Sequence, residues 1–596
     1  MTNENPVWTP KKSLAETEVI LRAPGGIYET ETRLIDGQLH RVYKNLWPTL
    51  RYFWFDSTKK FGDATYLVFE KERFSYRQAL EESLRVAAMY QDAYGIVKGD
   101  RVGICSRNYP EYLISFWACH LIGAVAVLVN AWLPLPALQH CIAHTGCKLI
   151  IVDSERAKVL ETGAQSFAQK NDIRGILVVK PQGGKSSWSG MESWSNVLSR
   201  YTPMSQQDAE AIDVKPEDNA TIFFTSGTTG MPKGVLSTHR MFLTNIPNVL
   251  VPGFRAAIRS GEALPQVTAG GPQKGVLIAV PLFHVTGLTS QATLATVLGM
   301  KIAMIRKWNV REAVRLIKQE CLTTAGGVPS MVLDLADSDL KDYPFDSLSF
   351  GGAAVPKTLI PKTRKNFPKT SINQGYGLTE TNSVAASLGG EDFLLRPQSC
   401  GLPTPVTDII IMDPETGKRL PSGKVGEIWI RGPHIMKEYW NDPVATEKAM
   451  SKDGWFRSGD VGLLDEEGFL YIRDRIKDLI IRGGENIDTL TVENSLYPLE
   501  GVSEVAAVGV PDERLGELVA VVVSISPKYK GKITEEALIA FASKSLPKFA
   551  VPVMALLQDT PLEHTPSGKI IKGTLRDAAR VEWLRRKASG KLHAKL

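Results

Sequence analysis

Cysteine is scarce and unpatterned in this chain of 596 residues: six, at positions 105, 119, 141, 147, 321 and 400, with no paired spacing. No disulfide framework or zinc site follows, and a reducing compartment is expected. Cys141 and Cys147 flank His144, but no second paired group completes a metal set, so they read as buried thiols. An excess of one charge is also lacking. The net charge is +6, from 70 Lys and Arg interspersed with 64 Asp and Glu. That is too dilute to imply a nucleic-acid partner. The opening Met1-Thr2-Asn3-Glu4-Asn5-Pro6 has no apolar core, so no secretory signal is expected. Uninterrupted apolar runs of membrane length are missing too. The best candidate, Leu113 to Leu133, contains His120, Gly123 and Asn130. Tyr112 to Ile122 reads as a helix and Ala124 to Val129 as a buried strand, so a helix–turn–strand unit explains the run better than a span.

What is present is ordinary globular composition, 43% hydrophobic and 22% charged, in a chain too long for one compact core. At least two domains are expected. A helix starts near Phe74-Ser75-Tyr76-Arg77, with Ala79, Leu80, Leu84, Ala87 and Ala88 at helical spacing. Strands are expected at 101–105, 148–152, 175–179, 221–224 and 276–280. Their alternation with helices argues α/β architecture with largely parallel, buried sheets. Residues 1–45 carry no clear signal, 183–187 reads as a surface loop, and no repeat or long low-complexity tract occurs.

The richest stretch is Thr225-Ser226-Gly227-Thr228-Thr229-Gly230-Met231-Pro232-Lys233-Gly234, directly after an apolar strand. Glycines bring backbone N–H groups close to a ligand, hydroxyls add donors, and Lys233 adds a mobile charge. Together they make a cradle for a polyphosphate. It is not a Walker A loop, which needs Ser or Thr straight after the lysine; here Gly234 follows Lys233. The stretch resembles the phosphate loop of the adenylate-forming superfamily, which includes acyl-CoA synthetases, peptide-synthetase adenylation domains and beetle luciferases.

Further motifs follow in that superfamily's order. Pro281-Leu282-Phe283-His284-Val285-Thr286-Gly287 closes a strand. His284 alone reads equally well as a core histidine. The resemblance implies that it lines the acyl pocket with Val285, Gly351 and Gly377. Apolar residues between Phe242 and Phe254, with Leu288, are further pocket candidates. Gly351-Gly352-Ala353-Ala354 exposes backbone suited to a flat ring, and the resemblance places 352–354 against adenine. Asn373-Gln374-Gly375-Tyr376-Gly377-Leu378-Thr379-Glu380 matches the superfamily's Tyr-Gly-x-Thr-Glu motif. The resemblance implies adenine on Tyr376 beside Gln374 and Gly375, the α-phosphate on Thr379, and Mg2+ on Glu380, a carboxylate suited to that ion. Asp460 is expected on the ribose hydroxyls, with Ile472 and Arg475 beside it. Lys477 stands where the superfamily has its interdomain hinge. Gly483-Gly484-Glu485 would form the CoA tunnel. After this loop the chain departs from the commonest pattern: Asp488-Thr489-Leu490-Thr491-Val492-Glu493 stands where many members have Pro and Glu. Lys569, in His564-Thr565-Pro566-Ser567-Gly568-Lys569, is presented on a turn and is mobile. Without the other motifs it would read as a surface lysine; with them it is the expected catalytic lysine, and His564 beside it is expected to titrate near neutrality.

The resemblance thus implies an AMP-forming acid–CoA ligase using ATP, Mg2+ and CoA on a hydrophobic acid, fatty or aryl. An enzyme that loads a carrier protein, or oxidises the adenylate as luciferases do, is the alternative use of the same chemistry. The expected fold is α/β: a large N-terminal domain, 1–476, with mostly parallel sheets, and a small mobile α+β domain, 477–596. Ala594-Lys595-Leu596 is a conservative variant of the Ser-Lys-Leu address. Recognition by the peroxisomal import receptor is therefore expected, with a cytosolic location as the alternative.

Overall fold

The computed structural model describes residues 8–180, 187–225, 231–264, 271–352, 359–483, 485–565 and 568–589. Two large sheets form the bulk of the molecule. The first has eight strands. Arg101–Cys105, Val125–Leu128, Leu149–Asp153, Gly175–Val179, Glu192–Ser193 and Asn219–Phe224 run parallel. Gly234–Thr238 and Glu438–Tyr439 close one edge antiparallel. The second has nine strands. Thr65–Phe69, Lys301–Met304, Gly275–Ile278, Thr324–Gly327, Ser347–Gly351 and Ser371–Tyr376 are its parallel centre, with antiparallel strands at both edges. Central strands of the first sheet, such as Val125–Leu128 and Leu149–Asp153, are buried apolar runs because helices pack on both faces.

The run around 113–133 is a helix and a strand as read: Pro110–Leu121 and Val125–Leu128, joined where Gly123 takes φ +72°. Trp117 on that helix stacks on Trp54 at 4.7 Å between ring centroids, in the core shared by the two sheets. Among the described residues no helix is long and apolar enough to cross a membrane. Cys141 and Cys147 are buried. Residues 1–45, silent in sequence, contribute the helix Leu14–Leu21 and the hairpin Thr30–Ile35 with Gln38–Tyr43. These are tied down by tertiary contacts: Glu18 pairs with Arg255, and the Tyr43 hydroxyl donates to Asn248 at 2.8 Å.

A third, four-stranded sheet is entirely antiparallel and ends with Leu470–Arg475 at its edge. The fourth sheet begins at Ile480 and has its own apolar core around Val505, Val521 and Leu538. Lys477 lies in the link between them. The small domain's last helix, Lys572–Ala588, packs back through Trp583, whose indole N–H donates to the Pro511 carbonyl at 2.8 Å.

Candidate active site

The C-terminal ends of the second sheet's parallel strands open into a cleft of about 2340 Å³, shared by both domains. This is where parallel sheets bind ligands, because strand-end loops leave backbone groups free. Two close approaches and one positive-φ glycine shape it. A Cβ on Gly287 would stand 2.3 Å from the Pro281 carbonyl oxygen, so only glycine lets the loop 281–287 fold back on itself. A Cβ on Gly377 would stand 1.3 Å from the Ser383 carbonyl oxygen. Gly352 takes φ +75°, and Lys569 Cε comes within 3.7 Å of where its Cβ would be.

The turn after Tyr376 is strained and clamped. Asn382 and Ser383 have φ +51° and +105°, costly for residues with a Cβ. Asn382 Nδ2 donates to Ser237 Oγ and to the His434 carbonyl, both at 2.9 Å, and Met436 N–H donates to the Glu380 carbonyl at 2.7 Å. Glu380 is thereby held at the cleft, where Tyr439 donates its hydroxyl to Oε1 at 2.7 Å. Lys233 sits 5.2 Å from the centre of the same tyrosine ring. Burial, then the Glu380 charge, hold the Tyr439 hydroxyl protonated far above its ordinary pKa. Nearby, Tyr376 donates to Asp460 Oδ2 at 2.7 Å, and Arg475 Nε pairs with Asp460 Oδ1 at 3.0 Å. A carboxylate between a phenol and a guanidinium is pinned in one orientation.

His284 Nδ1 accepts from the Thr286 N–H at 3.3 Å. That bond assigns the ring proton to Nε2, leaving a donor free. Burial, then the Lys569 charge, push its pKa down to about 3, so the ring is neutral at working pH. Lys569 itself is half-buried, at the wall of the cleft. It ends an antiparallel turn in which Thr565 N–H donates to its carbonyl at 2.7 Å and its own N–H donates to Thr565 Oγ1 at 3.0 Å. Gly568 abuts the large domain so closely that a Cβ would stand 2.6 Å from Val328 Cγ2. Burial first, then the Arg475 charge, lower the ammonium's pKa to about 8, against the opposing pull of Asp460 and Glu380. His564 pairs with Glu504 at 2.9 Å, and that bond raises its pKa.

The cleft therefore brings together Thr225, His284, Val285, Gly351, Gly352, Gln374, Gly375, Tyr376, Gly377, Thr379, Glu380, Asp460, Ile472, Arg475, Lys477 and Lys569. Gly483 and Glu485 do not line it; they lie at a hairpin whose Gly483 N–H donates to the Leu515 carbonyl at 2.7 Å. Ser226, Gly227, Thr228, Thr229, Gly230, Ala353, Ala354, Gly484 and Ala594–Leu596 lie outside the described residues. Two acyl-pocket candidates are corrected: Phe242 and Leu288 are buried in the core between the large sheets, where Phe116 packs on Phe242 at 5.7 Å. Val249 and Pro252, within the same expected stretch on the helix His239–Ser260, do line the cleft. Glu493 is committed inside the small domain, paired with Lys572 at 2.7 Å. Sequence reasoning missed Tyr439, which sits in a two-residue strand with no pattern of its own. Among the described residues no group of three or more His, Cys, Asp and Glu could hold a metal ion.

Residues 54–440 match the AMP-binding enzyme family and residues 491–569 the AMP-binding enzyme C-terminal domain. A long-chain-fatty-acid–CoA ligase of Mycobacterium tuberculosis is 32% identical over 81% of this chain and 89% of its own length. A feruloyl-CoA synthase of Amycolatopsis is 33% identical over 83% of this chain and 92% of its own. Among solved structures, the O-succinylbenzoate coenzyme A synthetase of Bacillus subtilis in complex with ATP and magnesium ion has a TM-score of 0.71 and 25% identity, covering 89% of this chain and 100% of that one.

Proposed function

The chain belongs to the AMP-binding enzyme family, and from that premise we propose how its cleft carries out the work of an AMP-forming acid–CoA ligase. The enzyme activates a hydrophobic carboxylic acid with ATP to an acyl-adenylate, then transfers the acyl group to CoA and releases AMP. The observation that carries the assignment of roles is the position of Lys569, which the small domain brings into the cleft that Asp460, Glu380, Arg475 and His284 of the large domain also line.

A carboxylate is a poor acyl donor because its leaving group would be an oxide. Its oxygen attacks the α-phosphorus of ATP, and the bond to pyrophosphate breaks. Charge grows on the phosphate oxygens, so preorganised cations and donors are needed there. Lys569, the loop 225–234 and the Thr379 hydroxyl supply them. His284 offers Nε2–H to the incoming carboxylate, Tyr376 faces the adenine, and Asp460, pinned by Tyr376 and Arg475, accepts from the ribose hydroxyls. Glu380 would hold Mg2+: one oxygen is steadied by Tyr439, and a hard carboxylate at the phosphates suits that ion, which would neutralise phosphate charge.

The CoA thiol then attacks the adenylate carbonyl and AMP leaves. Rotation of the small domain about Lys477 would withdraw Lys569 and bring Gly483-Gly484-Glu485 in as the thiol tunnel. Support comes from Lys569 occupying the cleft while Gly483 and Glu485 stay out of it. The walls formed by Val249, Pro252, Val285, Leu294 and Met300 favour a hydrophobic acyl group, fatty or aryl. A panel of both acid types with ATP and CoA, read by pyrophosphate release, tests the reading; no adenylate from any acid refutes it. Peroxisomal import is a separate proposal supported by Ala594-Lys595-Leu596 alone. Deleting those residues should make a tagged protein diffuse in cells, and an unchanged punctate signal refutes it.

A further inference from the structure

We propose that Asp474 is a positioning residue for adenylation: its carboxylate latches the small domain in the arrangement that puts Lys569 in the cleft. The proposal rests on the two-arrangement reading above. Asp474 lies on the edge strand Leu470–Arg475, before Lys477, and one of its two hydrogen-bond partners, Thr489, lies after Lys477. Its Oδ2 accepts from the Thr489 N–H at 2.5 Å, and its Oδ1 from the Arg475 N–H at 2.7 Å. Thr489 is buried at the first position of the helix Thr489–Leu496.

The other side of that contact is prepared in advance. Lys572 donates to Thr489 Oγ1 at 2.5 Å and pairs with Glu493 at 2.7 Å. Glu493 accepts in turn from the Ala507 N–H at 2.9 Å. Thr489, Lys572 and Glu493 therefore form a satisfied unit internal to the small domain. Asp474 and Lys572 also attract each other as charges across the link.

A rotation about Lys477 leaves Asp474 behind and carries the Thr489–Lys572–Glu493 unit with the small domain. The Thr489 hydrogen bond and the Lys572 attraction therefore belong to the adenylation arrangement alone. An interaction made in one of two states shifts the population toward it by its own free energy. The Arg576–Asp478 pair, at 2.9 Å, lies wholly after Lys477 and moves as one piece, so it makes no such distinction.

The test is single-turnover measurement of each half-reaction on the full chain: ATP with an accepted acid, and pre-made acyl-adenylate with CoA. Asp474→Ala should slow adenylation about ten- to a hundredfold, the scale of one hydrogen bond to a charged group, and leave thioester formation unchanged or faster. Asp474→Asn keeps an acceptor for the Thr489 N–H but loses the charge, and should fall between. Equal loss of both steps, or unchanged adenylation in both variants, overturns the latch. Lys569→Ala is the control. If it too fails to separate the steps, the two-arrangement reading falls and the latch with it. If it separates them while Asp474→Ala does not, the latch alone falls.

Discussion

The two sides of the cleft are built on opposite terms. On the large-domain side Tyr376, Asp460, Arg475, Glu380 and Tyr439 hold one another through direct contacts of 2.7–3.0 Å. On the small-domain side Lys569 has backbone bonds within its own turn, and its place in the cleft depends on a separate sheet docking through contacts such as Gly568 against Val328. The first side is preorganised before substrate arrives. The second is delivered by a rigid body and can be withdrawn. A charge needed in one half-reaction and obstructive in the next is best placed on the removable side.

The sharpest way to break this comparison is Lys569→Ala. Adenylation should fall on the order of a hundredfold or more, the cost of losing one preorganised electrostatic group. Thioester formation from pre-made adenylate should be spared, and rapid-quench assay of each step reads both. A smaller effect probes the fixed side. Tyr439→Phe removes the hydroxyl that steadies Glu380, a hydrogen bond to a charged group, so adenylation should drop about tenfold. Restored rates at high magnesium would place the defect at the ion. Unchanged rates at all magnesium concentrations would show that Glu380 needs no such support.

A pH profile separates the sides further. The Lys569 pKa, lowered to about 8, means its charge is present below that pH and lost above it. The kcat/KM for adenylation should therefore decline as pH rises through about 8, approaching tenfold per pH unit. Lys569→Arg should abolish that limb, since guanidinium does not titrate there. The smallest effect concerns His564. Its pKa is raised by Glu504, so the pair stabilises the fold fully below the ordinary histidine pKa and fades as pH rises through the folded value. The partly exposed pair contributes under about 1 kcal/mol. Melting of wild type and His564→Gln should converge at alkaline pH; a constant gap would exclude the titration.

How legible all this was in sequence depended on what kind of information was needed. Residue identity and local order announced the parallel strands, the glycine turns and the chemical capacities of Tyr376, Glu380, Asp460 and Lys569, because a strand's period and a side chain's donors are properties of a few consecutive residues. The antiparallel third sheet was less visible, since its edge strand Leu470–Arg475 is densely charged. Tyr439 was invisible: it matters through its pairing opposite Val235, which brings it to Lys233 and Glu380 from elsewhere in the chain. Phe242 and Leu288 had the right chemistry for an acyl wall, yet their helices turn them into the core. By itself, then, the sequence determined which groups this protein could use. Only the tertiary structure decided which of them meet, how far Lys569 loses water, and which side of the Lys477 link each partner stands on. Proximity and desolvation are sums over residues far apart in the chain, and no local pattern encodes them.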